Sequence, residues 1–195
     1  MIRAFVGIPL PDDVANALTA AQAGMPFGRE VPFDNLHVTL AFLGEQPEPV
    51  VEEAHHALGA VRVPAFSLSV EGLGVFGGAR PRVLFAEVSS DPGLSRLHRT
   101  VLRAAREAGI ELARQRFHPH VTLARFGEGL RGEDAAEMQA FVARRVGLRA
   151  GPFTVDRFVL YRSHLGRAGA IYEPLAEYPL ARSPVTVREG TGGGR

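Results

Sequence analysis

The residues best suited to chemistry are two histidines, each at the head of one copy of a repeated segment. His37-Val38-Thr39-Leu40-Ala41-Phe42-Leu43-Gly44-Glu45 returns as His120-Val121-Thr122-Leu123-Ala124-Arg125-Phe126-Gly127-Glu128, seven of nine positions identical, at an offset of 83 residues. Imidazole titrates near pH 6.5, so one ring can take a proton while another gives one in the neutral range. Cleavage of a phosphodiester asks for both, a base for the attacking oxygen and an acid for the leaving oxygen, each transfer worth roughly 10²–10⁴ in rate. Threonine hydroxyls and an arginine can donate hydrogen bonds to the charge that builds on the nonbridging oxygens. Nothing in this set requires a metal or an organic cofactor, and none is expected.

The spacing has a structural meaning. Alternate side chains of a strand share a face. His37 and Thr39 should therefore point one way while Val38 and Leu40 anchor the strand, and His120 and Thr122 should do the same against Val121 and Leu123. A single His-x-Thr in a strand is ordinarily a half-buried packing feature. A second copy in matching context points instead to two halves related by a pseudo-two-fold, their polar pairs meeting across one cleft. The context does repeat: Phe5 matches Phe85 at an offset of 80, and Phe66-Ser67-Leu68 matches Phe153-Thr154-Val155. Duplication alone establishes symmetry, not catalysis.

The positioning elements follow from the patterning. Strands are predicted over residues 2–8, 38–43, 65–76, 82–88, 120–126, 153–161 and 171–178, and helices over 14–23, 47–60, 91–108 and 133–146. Pro11-Asp12-Asp13 opens the first helix, since proline and acids suit its free N–H groups and dipole. Several connections are too short for a parallel crossover. This gives an α+β fold with antiparallel sheets rather than a doubly wound one. Residues 1–181 read as one bilobal domain, Gly166 to Gly169 as the turn before the last strand, and 182–195 as a tail too poor in apolar residues to order itself.

Composition sets the limits. A formal net charge of +1 on 195 residues favours contact with a short stretch or an end of nucleic acid rather than a long duplex. All 22 basic residues are arginine, which excludes lysine nucleophiles, Schiff bases and P-loop lysines. With no cysteine, disulfides, thiolate catalysis and cysteine-bound zinc are excluded, and a reducing cytoplasm fits. The apolar start is cut short at Pro11 and reads as a strand rather than a signal peptide. No apolar run approaches the ~20 residues of a membrane helix. No membrane partner is expected, and a monomer is the default.

The remaining histidines have plainer readings. His118 shares a face with His120, yet no carboxylate stands at ligand spacing, so no metal site is expected. His55 and His56 fall on a helix beside Glu52 and Glu53, and His98 on an arginine-rich helix face, all expected in solvent. His164 falls in the last hairpin, with Ser163 and Arg162 near the cleft. Nucleophile-elbow and glycine-rich phosphate-loop patterns are absent.

The two His-x-Thr-x tetrapeptides resemble the signature motifs of the two-histidine (2H) phosphoesterase superfamily. With their flanks, the chain resembles its RNA 2′,3′-cyclic phosphodiesterases, the LigT-like group formerly called 2′-5′ RNA ligases. The flanks are the opening Arg3-Ala4-Phe5-Val6-Gly7-Ile8-Pro9, then Asn35-Leu36, Phe117-His118-Pro119 and Leu160-Tyr161-Arg162-Ser163. The resemblance implies a bilobal pseudo-two-fold fold, with two antiparallel sheets lining a central cleft and helices outside, and hydrolysis of 2′,3′-cyclic phosphates on RNA ends to 2′-phosphates. It makes His37 the general acid and His120 the general base, with Thr39 and Thr122 on the phosphate oxygens and weak, reversible 2′-5′ joining permitted. It also implies an arginine at Arg125, which strict alternation would turn to the opposite face from Thr122. Phe42 holds the equivalent place in the first copy, where it either stacks on a base or, more simply, packs. Arg125 and Phe42 are both carried as candidate substrate contacts. Phe85 stands where tryptophan is common in the family, and could still stack on a base. Two other functions compete: a related enzyme acting on small molecules such as ADP-ribose cyclic phosphate or 2′-5′ oligonucleotides, and a noncatalytic module that binds RNA ends.

Overall fold

A computed structural model describes residues 1–114, 116–166 and 169–181. The expected tail over 182–195 and most of the turn between Gly166 and Gly169 lie outside the described residues. The chain forms strand β1 (Ile2–Pro9), helix α1 (Asp12–Gln22), the two-residue strand β2 (Arg29–Glu30), a 3-10 turn (Phe33–Asn35) and strand β3 (His37–Gln46). Helix α2 (Glu48–Gly59) and strand β4 (Phe66–Phe76) follow, then β5 (Val83–Val88), α3 (Pro92–Glu107), β6 (His120–Arg125), α4 (Gly132–Ala143), β7 (Arg149–Val155), β8 (Arg157–Gly166) and β9 (Gly169–Pro179). The expected α+β class holds. The predicted strand over 153–161 is two strands meeting at Asp156, and β2 with the 3-10 turn was not anticipated.

The two antiparallel halves are joined into one sheet of order β7-β4-β5-β6-β3-β1-β8-β9, with β2 added beside β6. The halves meet at β3 and β6, through the register pair Val38↔Val121. Outward from there, β1 lies beside β3 as β5 lies beside β6, and β8 beside β1 as β4 beside β5. This order corrects one part of the sequence alignment. Phe66-Ser67-Leu68 and Phe153-Thr154-Val155 are not symmetry mates but direct ladder partners, Phe66↔Val155 and Leu68↔Phe153. The symmetry mate of β4 is β8. Strands β4 and β5 of the β6 half thus follow β3 in the chain, and β8 and β9 of the β3 half follow β6, whereas β7 follows β6 and stays in its half.

Helices knit the halves further. α1 packs on β6 and β7, and α3 on β3 and α2. α3 begins where Asp91 Oδ1 accepts hydrogen bonds from the backbone N–H groups of Gly93 (2.6 Å) and Leu94 (3.2 Å), satisfying donors left free in the first turn. The core is aliphatic with a few large rings: Leu18, Leu43, Leu58, Leu84, Leu97, Leu123, Met138, Phe141 and Phe158 are all fully buried. Gln22 is the one buried polar side chain among the described residues. Its amide donates to the carbonyls of Val31 and Leu123, both at 2.9 Å, pinning the segment before the 3-10 turn against β6. Among the described residues no helix is long and apolar enough to cross a membrane.

Candidate active site

Along β3 and β6 the expected alternation is observed. Val38, Leu40, Val121 and Leu123 are buried, while His37, Thr39, His120 and Thr122 are half-buried on the opposite face. The pair Val38↔Val121 fixes what stands opposite what. One step to either side, an antiparallel register sets His37 against Thr122 and Thr39 against His120. Diagonal neighbours across such a pair have Cβ atoms about 7–8 Å apart, and the positive charge of His120 is felt at His37.

Each ring is held in the same way. His37 Nδ1 lies 2.7 Å from the Asn35 carbonyl, and His120 Nδ1 lies 2.7 Å from the His118 carbonyl. A carbonyl only accepts, so Nδ1 carries the proton in both, leaving Nε2 on the far edge of the ring for chemistry. His37 Nε2 is 3.0 Å from Thr39 Oγ1. Asn35 is itself fixed, its side-chain amide donating to the Ala170 carbonyl in β9 at 2.6 Å.

Aromatic rings wall each imidazole. Phe5 lies 4.8 Å from His37 between centroids, and Tyr172 meets it edge-on at 5.3 Å. Phe76 and Phe85 meet His120 edge-on at 4.9 and 5.5 Å. Phe5 and Phe85 therefore do equivalent work, but not at equivalent ladder positions. Thr39 pairs with Gly7 and Thr122 with Phe85, so the strict mate of Phe85 is Gly7 rather than Phe5. Phe85 is only 5% exposed and stacks on Phe76 at 4.0 Å. It supports an imidazole and offers no free face to a base.

Enclosure shifts both histidines. Burial, reinforced by the positive charges of His120 and Arg125, lowers the His37 pKa to about 4 despite its bond to Asn35. Burial likewise lowers that of His120, with His118 and Arg125 adding repulsion. Both rings are neutral at neutral pH.

Arg125 lies on the site face, contrary to strict alternation. Between the pairs Leu84↔Ala124 and Phe85↔Thr122, β6 advances two residues while β5 advances one. This bulge re-phases the strand and returns Arg125 to the side of Thr122. The same irregularity occurs in β3, between Val6↔Ala41 and Gly7↔Thr39, and turns Phe42 out to 66% exposure rather than into the core. The eighth residue of both repeats is a glycine in the left-handed region, Gly44 at φ 74° and Gly127 at φ 55°. Arg125 and Phe42 stand where two stretches of one cleft meet. One, about 710 Å³, includes Arg3, Arg29, Asn35 and Tyr172. The other, about 470 Å³, includes Thr39, His120, Thr122, Leu102 and Phe117.

The other histidines divide. His98 is not on a solvated face: it stacks on Phe117 at 3.8 Å in the second stretch of the cleft, where burial lowers its pKa. His118 approaches Glu87 at 3.6 Å, and His164 is 2.7 Å from Glu173. His55 is exposed yet bonded to the Tyr178 hydroxyl at 2.8 Å. Among the described residues no three His, Asp or Glu side chains are grouped to hold a metal ion.

Residues 10–167 match the family described as the 2′-5′ RNA ligase superfamily. The chain belongs to the 2′-5′ RNA ligase superfamily. An RNA 2′,3′-cyclic phosphodiesterase of Aeropyrum pernix is 36% identical to it over 84% of this chain and 92% of the relative. Another, of Geobacillus stearothermophilus, is 32% identical over 98% of this chain, which spans 61% of that relative's length. Among solved structures of similar fold, E. coli LigT complexed with 3′-AMP matches with a TM-score of 0.75 at 27% identity, over 93% of this chain and 99% of LigT. Within this superfamily of enzymes, the chain carries two histidines in matched settings, and both of its repeats lie inside the matched span.

Proposed function

We propose that the chain hydrolyses 2′,3′-cyclic phosphates at RNA ends to 2′-phosphomonoesters, with His37 as proton donor and His120 as proton acceptor. The observation that carries this reading is the matched pair of imidazoles, each tied at Nδ1 to a backbone carbonyl and left with Nε2 for proton transfer. Relatives named RNA 2′,3′-cyclic phosphodiesterase over most of the chain supply the substrate class. The division between acid and base follows the family resemblance.

The steps balance without a further reactant. Water attacks phosphorus as its proton passes to His120 Nε2. The bond from phosphorus to O3′ breaks, and O3′ takes a proton from His37 Nε2. The 2′ ester survives. Thr39, Thr122 and Arg125 donate to the nonbridging oxygens as charge accumulates there. With a 5′-hydroxyl in place of water, the same transfers form a 2′-5′ linkage.

His37 must enter the reaction protonated, although its pKa in the free protein is lowered to about 4. The anionic diester itself offsets this. A negative charge beside the ring opposes the repulsion from Arg125 and favours the imidazolium. Thr39 accommodates the change, because a hydroxyl that donates to neutral Nε2 can rotate to accept from Nε2–H.

The test is phosphorus NMR of a 2′,3′-cyclic nucleotide incubated with the protein in EDTA. A 2′-phosphate is expected, and it should vanish in both His37→Ala and His120→Ala. A 3′-phosphate would reverse the leaving oxygen, and an unchanged cyclic phosphate would end the proposal.

A further inference from the structure

We infer that the arginine-lined stretch of the cleft on the His37 side is a subsite for the phosphodiester backbone 5′ to the cyclic end, so that oligonucleotides are favoured over mononucleotides. This rests on the reaction proposed above. The first observation is electrostatic. Arg29 of β2 stands directly opposite Arg125 of β6 in the ladder, and both line the 710 Å³ cavity with Arg3. Like charges set opposite one another destabilise a sheet. Among the described residues they are not offset: Glu30 is the one carboxylate lining the cavity, and Arg3, Arg29 and Arg125 take part in no ion pair. Arg3 stands opposite Glu45 in the β1–β3 ladder, again without an ion pair. Three guanidinium groups around one cavity, none ion-paired among the described residues, suit a phosphate, which they can grip as planar forks.

The second observation is directional. When the cyclic phosphate opens, O3′ remains on the ribose. The group that protonates O3′ therefore faces the nucleoside, and the rest of the RNA runs 5′ from there. Asn35, Phe5 and Tyr172, which hold and wall His37, line the same cavity as Arg3 and Arg29. The stretch beyond His120 is walled by Leu102, Leu112 and Phe117 and, among the described residues, adds only Arg116 to the shared Arg125. The cationic arm of the cleft is thus the one into which the chain must extend. Arg125 is near enough to lower both histidines, while Arg29 lies a strand further out, about 4.8 Å in the hydrogen-bonding direction. Arg125 serves the reacting phosphate, and Arg29 with Arg3 the next one. A mononucleoside cyclic phosphate has no such second phosphate.

The experiment compares kcat/KM for a trinucleotide ending in a 2′,3′-cyclic phosphate with that for a 2′,3′-cyclic mononucleotide. The expected ratio in the parent protein is about tenfold or more at low salt, falling toward one in the double variant Arg3→Ala/Arg29→Ala and with added salt. A ratio near one in the parent overturns the subsite, as does a ratio retained by the double variant. An equal loss on both substrates also overturns it, because the arginines would then belong to the reacting centre. A calorimetric comparison of a trinucleotide with a terminal 2′-phosphate against a nucleoside 2′-phosphate tests the subsite without turnover. Tighter trinucleotide binding that is lost in the double variant supports it even if hydrolysis fails, and equal binding overturns it.

Discussion

Val38 and Val121 form the register pair that joins the two halves of the sheet, and each is flanked by the histidine of its own repeat. Both side chains are completely buried beneath the cleft. The relative position of the imidazoles therefore depends on this apolar contact. Val121→Thr keeps the shape but buries an unpartnered hydroxyl, costing about 1–3 kcal/mol. Its kcat should fall by more than its KM rises, while unfolding in urea shows the modest loss. Full activity in a destabilised variant would break the link between the seam and the chemistry.

The lowered pKa values of the two histidines predict the pH dependence. The profile of kcat/KM reports the free enzyme. Both histidines titrate below 6.5 there, and turnover needs one proton on the pair, so the profile should peak on the acid side of 6.5. Bound anion raises both groups, so the peak in kcat should lie at higher pH. Steady-state rates from about pH 4 to about pH 9 decide it; coincident peaks would contradict the role given to the substrate's charge.

The same shift enters stability. Unfolded, His37 takes up a proton near pH 6.5; folded, only near 4. Between those values the unfolded chain binds more protons, so folding stability falls as pH drops through this window, by about 3 kcal/mol from this group. Urea unfolding of His37→Asn should show a shallower acid loss than the parent. Equal slopes would mean that His37 titrates normally.

Gly7 stands opposite Thr39 in the ladder, and a Cβ added there would lie 3.1 Å from His37 Cδ2 and 3.2 Å from the Val38 carbonyl oxygen. The ring has to give, because the backbone oxygen is held in the sheet. Gly7→Ala should lower kcat on the order of tenfold or more through misplacement of Nε2, since small displacements are costly at a reacting centre. Unchanged kcat would show that the ring relaxes freely.

Arg125 tests charge against shape. Arg125→Ala should cost about 10²-fold in kcat, as expected for a donor to a developing oxyanion. Arg125→Lys should recover only part of it, because an ammonium retains the charge but not the fork. Full recovery by lysine would reduce the role to simple charge.

Period-two alternation was sufficient to put His37, Thr39, His120 and Thr122 on one face, and duplication was sufficient to bring the two faces together. Alternation misjudged Arg125 for a local reason, since a bulge after Thr122 depends on cross-strand pairing that no single strand reveals. Matching Phe5 with Phe85, and 66–68 with 153–155, relied on composition where strand order decides. Asn35, Gln22 and Tyr172 could not be singled out, because each acts through a partner distant along the chain: Ala170 for Asn35, Leu123 for Gln22, and the His37 ring for Tyr172. The arginine cluster was likewise hidden, since nothing near Arg29 in the chain indicates that a two-residue strand sets it against Arg125.

The paired bulges separate the heritable fates of adjacent residues. Upstream of each irregularity, positions 37–39 and 120–122 take their orientation from the seam; downstream, Phe42 and Arg125 take theirs from the extra residue. Loss of that residue by a single-codon deletion would flip the outer side chain and spare the inner pair. Lineages can thus remodel what the cleft grips while leaving its proton-transfer groups in place.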